Sequence, residues 1–305
     1  MTVVYPPPVD APGRQDQDAY AISAEFYDVL QAERDEARVR SFYRDDVRRA
    51  RVGVLDVGAG TGRVTLMSLL ESRVPVHAVE PARSMRTPLM TRLTSLGTEL
   101  TARVTVHPQT LDRAGLHGVA DVAVCHNTVA CLHPGSRRAL WRAVAEALVP
   151  TGLLLVQLPP AHLPRHRTTH VLPTRTVGLH EYGGRMVMSP DVDRIRARFD
   201  YWVRGDGRVL RRHEETFWMW PASRAEMIAE LAEAGFIALP ERPDLSVLAV
   251  RLERHDTLRP AATRRSSRHR ALFGRQGLRR GLHGSPPPHH GDRDRRDGGP
   301  REGLR

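Results

Sequence analysis

The apolar positions between about residues 52 and 253 follow two different periods, which predicts alternating strands and helices. Short β-branched runs, of the kind buried on both faces of a sheet, predict strands at residues 52–57, 74–79, 102–106, 120–125 and 153–156. Apolar residues three or four positions apart predict helices that begin near Val64 and extend over residues 134–148. Because such alternation builds a parallel sheet covered by helices, we predict a doubly wound α/β fold.

A glycine-rich loop joins the first predicted strand to the helix behind it. Gly58, Gly60 and Gly62 alternate directly after Asp56. Glycines at these positions permit a sharp turn and let a ligand approach the backbone without a Cβ atom in the way. The N-terminus of the following helix favours a negatively charged group, such as a carboxylate or a phosphate.

Two nucleotide-binding loops of similar appearance do not fit this sequence. The dinucleotide fingerprint requires a glycine where Arg63 stands, and a P-loop requires a lysine, of which the chain has none. The lack of lysine also excludes a Schiff base with pyridoxal phosphate on this chain. The next predicted strand ends at Glu80, whose carboxylate can accept hydrogen bonds from both ribose hydroxyls. A cofactor with a ribose and a carboxylate but no polyphosphate is therefore predicted.

Asp56, the three glycines and Glu80 resemble the class I S-adenosylmethionine-dependent methyltransferases. The resemblance extends from the strand at residue 52 to the strand that ends near residue 253. It implies S-adenosyl-L-methionine as the cofactor and a Rossmann-like, mainly parallel seven-stranded sheet with a terminal antiparallel strand. The cofactor-binding residues that it implies are Tyr27, Asp56, Gly58, Ala59, Gly60, Gly62, Glu80, Pro81, Gln109, Thr110 and His126.

Two parts of this resemblance leave alternatives open. Family members often place an acidic residue after the third strand to bind the adenine amino group, whereas Gln109 and Thr110 stand there in this chain. An amphipathic helix is predicted over residues 22–39, with Ala37 on its apolar face. In the family such a helix, often with a pair like Tyr27-Asp28, lies over the cofactor mouth. The alternative is that Phe26 and Tyr27 only anchor the helix to the sheet.

A long segment of weaker periodicity, residues 159–220, interrupts the alternation. It is rich in Pro, His, Arg and Thr and is too long for an ordinary connection. We predict a substrate-facing insertion with antiparallel strands at 185–188, 199–203 and 208–218 and a hairpin turn at 205–207. Ser223 and Glu226 have the spacing of a capping box, which predicts a helix through residue 234 before a last strand over 245–252.

The net charge of +11 belongs to the C-terminal segment. Residues 254–305 contain 14 arginines against 5 acidic residues, whereas the first 253 residues contain 32 against 30. Residues 1–19 and 257–305 lack periodic apolar positions, so we predict a disordered leader, a methyltransferase domain over 20–256 and a disordered basic tail. A near-neutral domain and a tail with a single aromatic residue, Phe273, argue against nucleic acid as a partner.

The expected location is the cytoplasm, without a membrane partner. The chain has two cysteines, Cys125 and Cys131, which suit a reducing compartment. No apolar run approaches the ~20 residues that a membrane span requires. The proline-rich start does not resemble a secretory signal. The sequence leaves the oligomeric state open.

Polar residues that follow the fourth predicted strand are the candidates for work on the methyl acceptor. His126, Asn127 and His133 are the predicted catalytic residues, because ligands in open α/β sheets bind beyond the carboxyl ends of the strands. A surface or core position is nevertheless the commoner role of a single histidine. Cys125 and Cys131 with two of these histidines match no standard zinc spacing, so no metal is predicted.

The resemblance implies a methyltransferase that acts on a small metabolite or a peptide, by N- or O-methylation, as in natural-product tailoring. Methyl transfer from a sulfonium requires mainly alignment and exclusion of water, so no obligatory catalytic signature is expected. Residues 125–128 read Cys-His-Asn-Thr, which lacks the acidic-or-Asn, Pro, Pro, aromatic tetrad of base methyltransferases. The alternative is an accessory or regulatory protein that binds the cofactor without catalysis.

Overall fold

The computed structural model describes residues 20–253, and the predicted leader and tail lie outside these residues. The helices are α1 Ser23–Arg48, α2 Arg63–Glu71, α3 Arg83–Thr94, α4 Thr98–Thr101, α5 Leu111–Ala114, α6 Pro134–Ala147 and α7 Arg224–Ala232, with one 3-10 turn at Val129–Cys131. The strands are β1 Val54–Val57, β2 Val76–Val79, β3 Val104–His107, β4 Ala120–Cys125, β5 Leu148–Gln157, β6 Thr168–Val171, β7 Arg175–Val177, β8 His180–Asp191, β9 Arg194–Gly205, β10 Arg208–Met219, β11 Phe236–Ala238 and β12 Val247–Leu252.

Seven of these strands form one sheet in the order β11-β12-β5-β4-β1-β2-β3. The strands from β5 to β3 are parallel, and β12 pairs antiparallel with β5. This confirms the predicted doubly wound, mainly parallel seven-stranded sheet. The strand order reverses between β1 and β4, so a crevice opens beyond the carboxyl ends of these two strands.

Helices cover both faces of the sheet, which explains the continuous apolar runs in its strands. On one face, α6 and α7 pack through buried residues such as Trp141 and Leu231. On the other face, α1, α2 and α3 pack through residues such as Tyr43 and Leu89. A strand between two helical layers is buried on both faces, and all four residues of β1 are buried.

The segment over residues 159–220 forms a second, antiparallel sheet in the order β10-β9-β8-β6, with β7 paired to β8. Its face towards α1 is apolar, and the ring of Phe26 stacks on Tyr201 at 4.5 Å between centroids. Strands β8, β9 and β10 each have twelve residues, so the strands predicted at 185–188 and 199–203 are too short. Polar residues alternate with apolar ones there, because the other face is exposed.

The structure corrects three predicted boundaries. Helix α1 continues to Arg48, well past residue 39, and Ala37 lies on its exposed side. Helix α6 ends at Ala147 and strand β5 starts at once, so the strand predicted at 153–156 begins earlier, at Leu148, and includes Thr151 at a φ of 68°. Helix α7 ends at Ala232. Its predicted capping box forms in both directions.

A buried ion pair joins α6 to α7 on the face of the sheet away from α1. Arg137 donates from Nε and Nη2 to the two carboxylate oxygens of Glu230, at 2.7 and 2.6 Å. Trp141 Nε1 donates to the same carboxylate at 3.3 Å. Arg137 is 2% exposed, so removal of one partner alone would leave a buried charge, at a cost of about 3–5 kcal/mol.

No helix among residues 20–253 is long and apolar enough to cross a membrane.

Candidate active site

The glycine loop turns at the carboxyl end of β1 with all three glycines in the left-handed region. Their φ angles are 71°, 57° and 94° for Gly58, Gly60 and Gly62. The backbone N–H groups of Gly58 and Ala59 donate to the carbonyl of Val79 at 2.9 and 3.0 Å. These bonds hold the loop beside the end of β2, where Glu80 follows.

The three glycines differ in what surrounds them. A Cβ atom at Gly58 would lie 2.4 Å from Thr128 Oγ1, and one at Gly62 would lie 2.4 Å from Leu89 Cδ1. At Gly60 the nearest atom, Met85 Cε, would be 3.6 Å away. Gly58 and Gly62 are therefore required for packing, whereas Gly60 leaves an open backbone face that a ligand can approach.

The carboxylate of Glu80 is held at this open face by two backbone amides. Gly60 N–H donates to Oε2 at 2.7 Å and Ala82 N–H donates to Oε1 at 2.8 Å. Burial raises the pKa of Glu80, and the two amide bonds oppose that shift. A carboxylate oxygen has two lone pairs, so each oxygen can still accept a hydrogen bond from a ligand hydroxyl.

Asp56 lies beneath the loop and is 1% exposed. Thr65 Oγ1 on α2 donates to its Oδ2 at 2.6 Å. Burial raises the pKa of Asp56 to about 7; the bond from Thr65 opposes this shift and the nearby Glu80 adds to it. The hydrogen bond between Thr65 and Asp56 joins α2 to β1 and so supports the loop that connects them.

An ion-pair cluster fastens the start of α1 to the glycine loop. Asp28 Oδ1 accepts hydrogen bonds from Thr61 Oγ1 at 2.8 Å and from Arg63 Nη2 at 2.6 Å. Its Oδ2 pairs with Arg92 Nη2 at 2.5 Å, and Arg92 Nη1 donates to the carbonyl of Thr61. Arg63 therefore has a structural role in place of the glycine of the dinucleotide fingerprint. The cluster places α1 across one side of the loop.

Tyr27, Asn127 and His126 form a hydrogen-bonded chain between α1 and the end of β4. Tyr27 donates to Asp35 Oδ2 at 3.1 Å and accepts from Asn127 Nδ2 at 3.4 Å. The same Nδ2 lies 3.3 Å from His126 Nε2. Asn127 has a φ of 53°, and its backbone N–H donates to Gln157 Oε1 at 3.0 Å. The structure thus brings these three predicted site residues together.

His126 is 9% exposed, and both ring nitrogens have partners. Nε2 accepts from Asn127, so the ring proton is on Nδ1, which lies 3.1 Å from the hydroxyl of Tyr43. Burial lowers the pKa of His126 to about 4, assisted by the positive charges of Arg38 and Arg63. His126 is therefore a neutral, weakly basic group that orients Asn127.

His133 is the N-cap of α6 and lies at the surface. Its Nδ1 accepts from the backbone N–H of Gly135 at 3.1 Å, and its ring contacts Trp220 edge-on at 5.6 Å. An Nδ1 that accepts an amide proton leaves the proton of the neutral ring on Nε2. His133 therefore caps a helix at this place and presents a donor rather than a base.

Tyr20 was not predicted as a site residue, and it lies near both Glu80 and Cys131. The ring of Tyr20 stacks on Phe217 of β10 at 4.8 Å. Burial raises the pKa of Tyr20, with further contributions from Cys131 and Glu80. Burial also raises the pKa of Cys131, and its hydrogen bond with Tyr20 opposes this. Tyr20 precedes α1 and has a φ of 66°, so no helical period in the sequence identifies it.

The remaining predicted residues follow the ends of β2 and β3. Pro81 offers its carbonyl to Arg86 Nη1 at 3.0 Å, directly after Glu80. Gln109 and Thr110 follow β3, which pairs with β2 so that His107 stands opposite Val79. They therefore lie at the same edge of the sheet as Glu80. Within residues 20–253, no three His, Cys, Asp or Glu side chains are grouped as a metal site requires.

S-adenosylmethionine fits the groups at this edge. Gly60 provides backbone that nothing covers, and Glu80 provides two acceptor oxygens fixed by amides. The cofactor has a ribose diol and no polyphosphate. It therefore requires neither the lysine of a P-loop nor the last glycine of the dinucleotide fingerprint, which would stand at residue 63.

Comparison with known proteins agrees with this fit. A family model described as "Methyltransferase domain" matches residues 55–154, which include the glycine loop and Glu80. No curated protein sequence matches the chain significantly. Many solved structures share the fold, and three of them are 17–19% identical to the chain.

Three of these structures illustrate the likeness. DesVI of Streptomyces venezuelae is 17% identical, with a TM-score of 0.60 over 77% of this chain and 98% of that one. CalS10 of Micromonospora echinaspora, an amino pentose methyltransferase solved with S-adenosylmethionine, is 18% identical, with a TM-score of 0.55 over 78% and 97%. The sugar N-methyltransferase KedS8 of a Streptoalloteichus species is 19% identical, with a TM-score of 0.54 over 83% and 99%. Residues 55–154 therefore match a methyltransferase domain, and the glycine loop and the strand order fit S-adenosylmethionine as its cofactor.

Proposed function

We propose that this methyltransferase transfers a methyl group to an amine nitrogen of a small metabolite or a peptide. The observation that carries the proposal concerns the side chains around the open face of Gly60 and the carboxyl end of β4, which we call the mouth. Among the described residues, the Tyr, His and Cys side chains there are not suited to remove a proton near neutral pH. A neutral amine attacks through its lone pair and can lose its proton afterwards, whereas a hydroxyl acceptor usually needs a base during transfer.

The titratable groups at the mouth support this choice one by one. The pKa of His126 is lowered to about 4, so its ring is a poor base. His133 uses its Nδ1 to cap α6 and lies at the surface. The pKa values of Tyr20, Tyr27 and Cys131 are all raised by burial, so these groups stay protonated.

The roles of the cofactor-binding residues follow from their positions. Glu80 would accept from the ribose hydroxyls, Gly60 would allow the close approach of the cofactor, and Gln109 or Thr110 would lie nearest the adenine. Asp56 would act indirectly, by support of the loop. When bound, the cofactor supplies an electrophilic methyl group on a good leaving group. The protein then mainly aligns the acceptor and excludes water. Helix α1, which Asp28 fastens beside the glycine loop, would help to exclude water.

The surroundings of the mouth favour a small acceptor with an apolar or cationic part. Tyr20 and Phe217 stack beside Cys131, and Trp220 donates its backbone N–H to Ala130 at 2.8 Å, which places that strand end against the 3-10 turn. Aromatic rings bind alkyl groups and ammonium groups. An amine acceptor is consistent with CalS10, an amino pentose methyltransferase, and with KedS8, a sugar N-methyltransferase.

The proposal is tested with methyl-labelled S-adenosylmethionine and paired acceptors that differ only in an amine or a hydroxyl at one position. Amino sugars with their hydroxyl analogues, and peptides with free or acetylated N-termini, supply such pairs. We expect label and a gain of ~14 Da, one methylene, only in the amines. Transfer to hydroxyls at equal or greater rates would overturn the choice of acceptor atom.

A second candidate function is binding of the cofactor in an accessory or regulatory role. The burial of Tyr20 against Cys131 and near Glu80 is the observation that favours it, since this ring occupies space that an acceptor would need. Such a protein would be stabilised against heat by S-adenosylmethionine but would yield no labelled product with any extract.

We further propose the cytoplasm as the location, since Cys125 and Cys131 are both unpaired and suit a reducing compartment.

A further inference from the structure

The antiparallel sheet has an outward face that the methyltransferase site does not use. Along β9, Ile195, Ala197 and Tyr201 are buried towards α1, so the alternate residues point away from it. Those alternate residues begin with three arginines, Arg194, Arg196 and Arg198. Three like charges on one face of one strand repel one another unless something compensates them.

The register of the sheet adds two more residues to this row. Ser189 of β8 stands opposite Arg196, and Val187 stands opposite Arg198. Thr168 of β6 pairs with Met188, so Arg167, one residue earlier, lies beside Ser189. Together these residues line a pocket of about 120 Å³: Arg167, Val187, Ser189, Arg196 and Arg198.

The charges around the pocket are not balanced. Arg194 pairs with Asp191 and lies over the ring of Trp218 at 3.9 Å. Arg198 pairs with Asp200 at 3.1 Å and with Glu214 at 3.7 Å. Arg167 and Arg196 pair with no carboxylate among residues 20–253, and both are exposed. The pocket therefore holds two uncompensated guanidinium groups beside a third whose charge is shared.

We propose that this pocket binds a phosphate group. A guanidinium offers a planar fork of N–H donors that matches phosphate oxygens, and two such forks face the pocket with the hydroxyl of Ser189 between them. Two uncompensated positive charges match the charge of a phosphate monoester near neutral pH, about −1.5 to −2. Buried Val187, 4% exposed, closes the pocket from below.

This site is separate from the site of methyl transfer. The opposite face of the same sheet contacts α1 and Tyr20, whereas the pocket opens on the outward face. The phosphate could be free in solution or could belong to a larger molecule. The two sources share the same recognition chemistry, so the test compares them directly.

The test is equilibrium dialysis of the full chain with radiolabelled inorganic phosphate, in buffer whose ionic strength is set by chloride. We expect saturable binding of one phosphate per chain, displaced by sulfate. Arg167→Ser and Arg196→Ser should each weaken binding by about tenfold or more, since charge-assisted hydrogen bonds are lost. Arg212→Ser is the matched control: it removes an arginine from the same face, on β10 opposite Trp202, outside the pocket.

Glycerol phosphate as a competitor distinguishes the sources. Competition at lower concentration than inorganic phosphate assigns the group to a larger molecule, and competition at equal or higher concentration assigns it to the free ion. Either result supports the site. Lack of saturable binding, or an equal loss with Arg212→Ser, would overturn the proposal and leave only a general attraction of anions to a basic face. Because Arg167 and Arg196 are exposed and unpaired, their variants should keep the melting temperature of the parent protein.

Discussion

The backbone N–H of Gly60 donates a hydrogen bond to Oε2 of Glu80 over 2.7 Å. This bond joins the two features that define the site, the open turn after β1 and the acid that ends β2. It requires the two strands to be neighbours in the sheet, which they are. Because Ala82 N–H holds the other oxygen, the carboxylate is fixed before any ligand arrives. Such preorganisation lowers the entropic cost of binding.

The contrast between Gly60 and Gly62 leads to the first prediction. Gly60→Ala should weaken S-adenosylmethionine binding by at least about tenfold, because the new methyl group lies on the ligand face; its left-handed φ adds only about 1–2 kcal/mol of strain. Gly62→Ala should mainly destabilise the fold, since its Cβ would lie 2.4 Å from Leu89 Cδ1. Calorimetric binding and thermal unfolding of both variants give the comparison. Equal effects of the two substitutions on binding and on stability would contradict it.

Asp28 should matter for cofactor binding although it lies outside the glycine loop. Asp28→Asn removes the charge that pairs with Arg63 and Arg92, so α1 should separate more readily from the loop. We expect faster proteolysis within α1 and a several-fold faster release of the cofactor, measured by stopped-flow. Glu25→Gln is the control, because Glu25 lies on the same helix as Asp28. It breaks only an exposed pair with Arg211 of β10 and should change neither rate.

Asp56 should make the stability of the protein depend on pH. Its pKa in the folded state is about 7, above the usual value of 3.8. The unfolded chain thus releases its proton first, so the stability that Asp56 contributes is complete below about pH 4 and is lost as the pH rises to about 7. Asp56→Asn should remove this loss, which amounts to about 4 kcal/mol for a shift of about three units. Urea unfolding of both proteins at pH 4.5 and 7.5 should show about 3 kcal/mol of this loss in the wild-type protein alone, and a parallel decline in the two would contradict the assignment.

His126 should remain neutral throughout the physiological range. Burial lowers its pKa to about 4, so its ring should not titrate between pH 5 and 8. Nitrogen-15 NMR of the histidine rings reports both the protonation state and the tautomer. We expect a constant signal for a ring protonated at Nδ1. A titration with a midpoint near 6.5 would instead restore His126 as a candidate base.

The sheet could be predicted because its strands are buried on both faces and therefore appear as continuous apolar runs. The positions of the glycine loop and of Glu80 could be predicted as well, because each directly follows the end of such an apolar run. The alternating glycines also indicate a tight turn on local grounds alone. The antiparallel sheet was recognised but its strands were predicted too short, because β9 begins Arg-Ile-Arg-Ala-Arg, and five of its twelve residues are charged.

The surroundings of the candidate catalytic residues could not be predicted from the sequence. Asn127 and His126 do lie at the carboxyl end of β4, yet the surroundings of His126 come from Tyr43, far along α1, and from burial, neither of which a local pattern reveals. Tyr20 and Cys131 meet only because the antiparallel sheet brings Phe217 beside them. Contacts between residues distant in the chain decide protonation and access, and these require the fold.

Calorimetric titration with S-adenosylmethionine tests directly whether Glu80 holds the cofactor. The wild-type protein should bind one equivalent, and Glu80→Ala should weaken binding by about 100-fold, the loss of two hydrogen bonds to a charged group. Asp121→Ala is the matched control, because Asp121 also accepts from backbone amides, those of Val52 and Gly53, but at the opposite end of β1. It should leave the affinity unchanged. No binding to the wild-type protein, or an affinity of Glu80→Ala within twofold of it, would contradict the account.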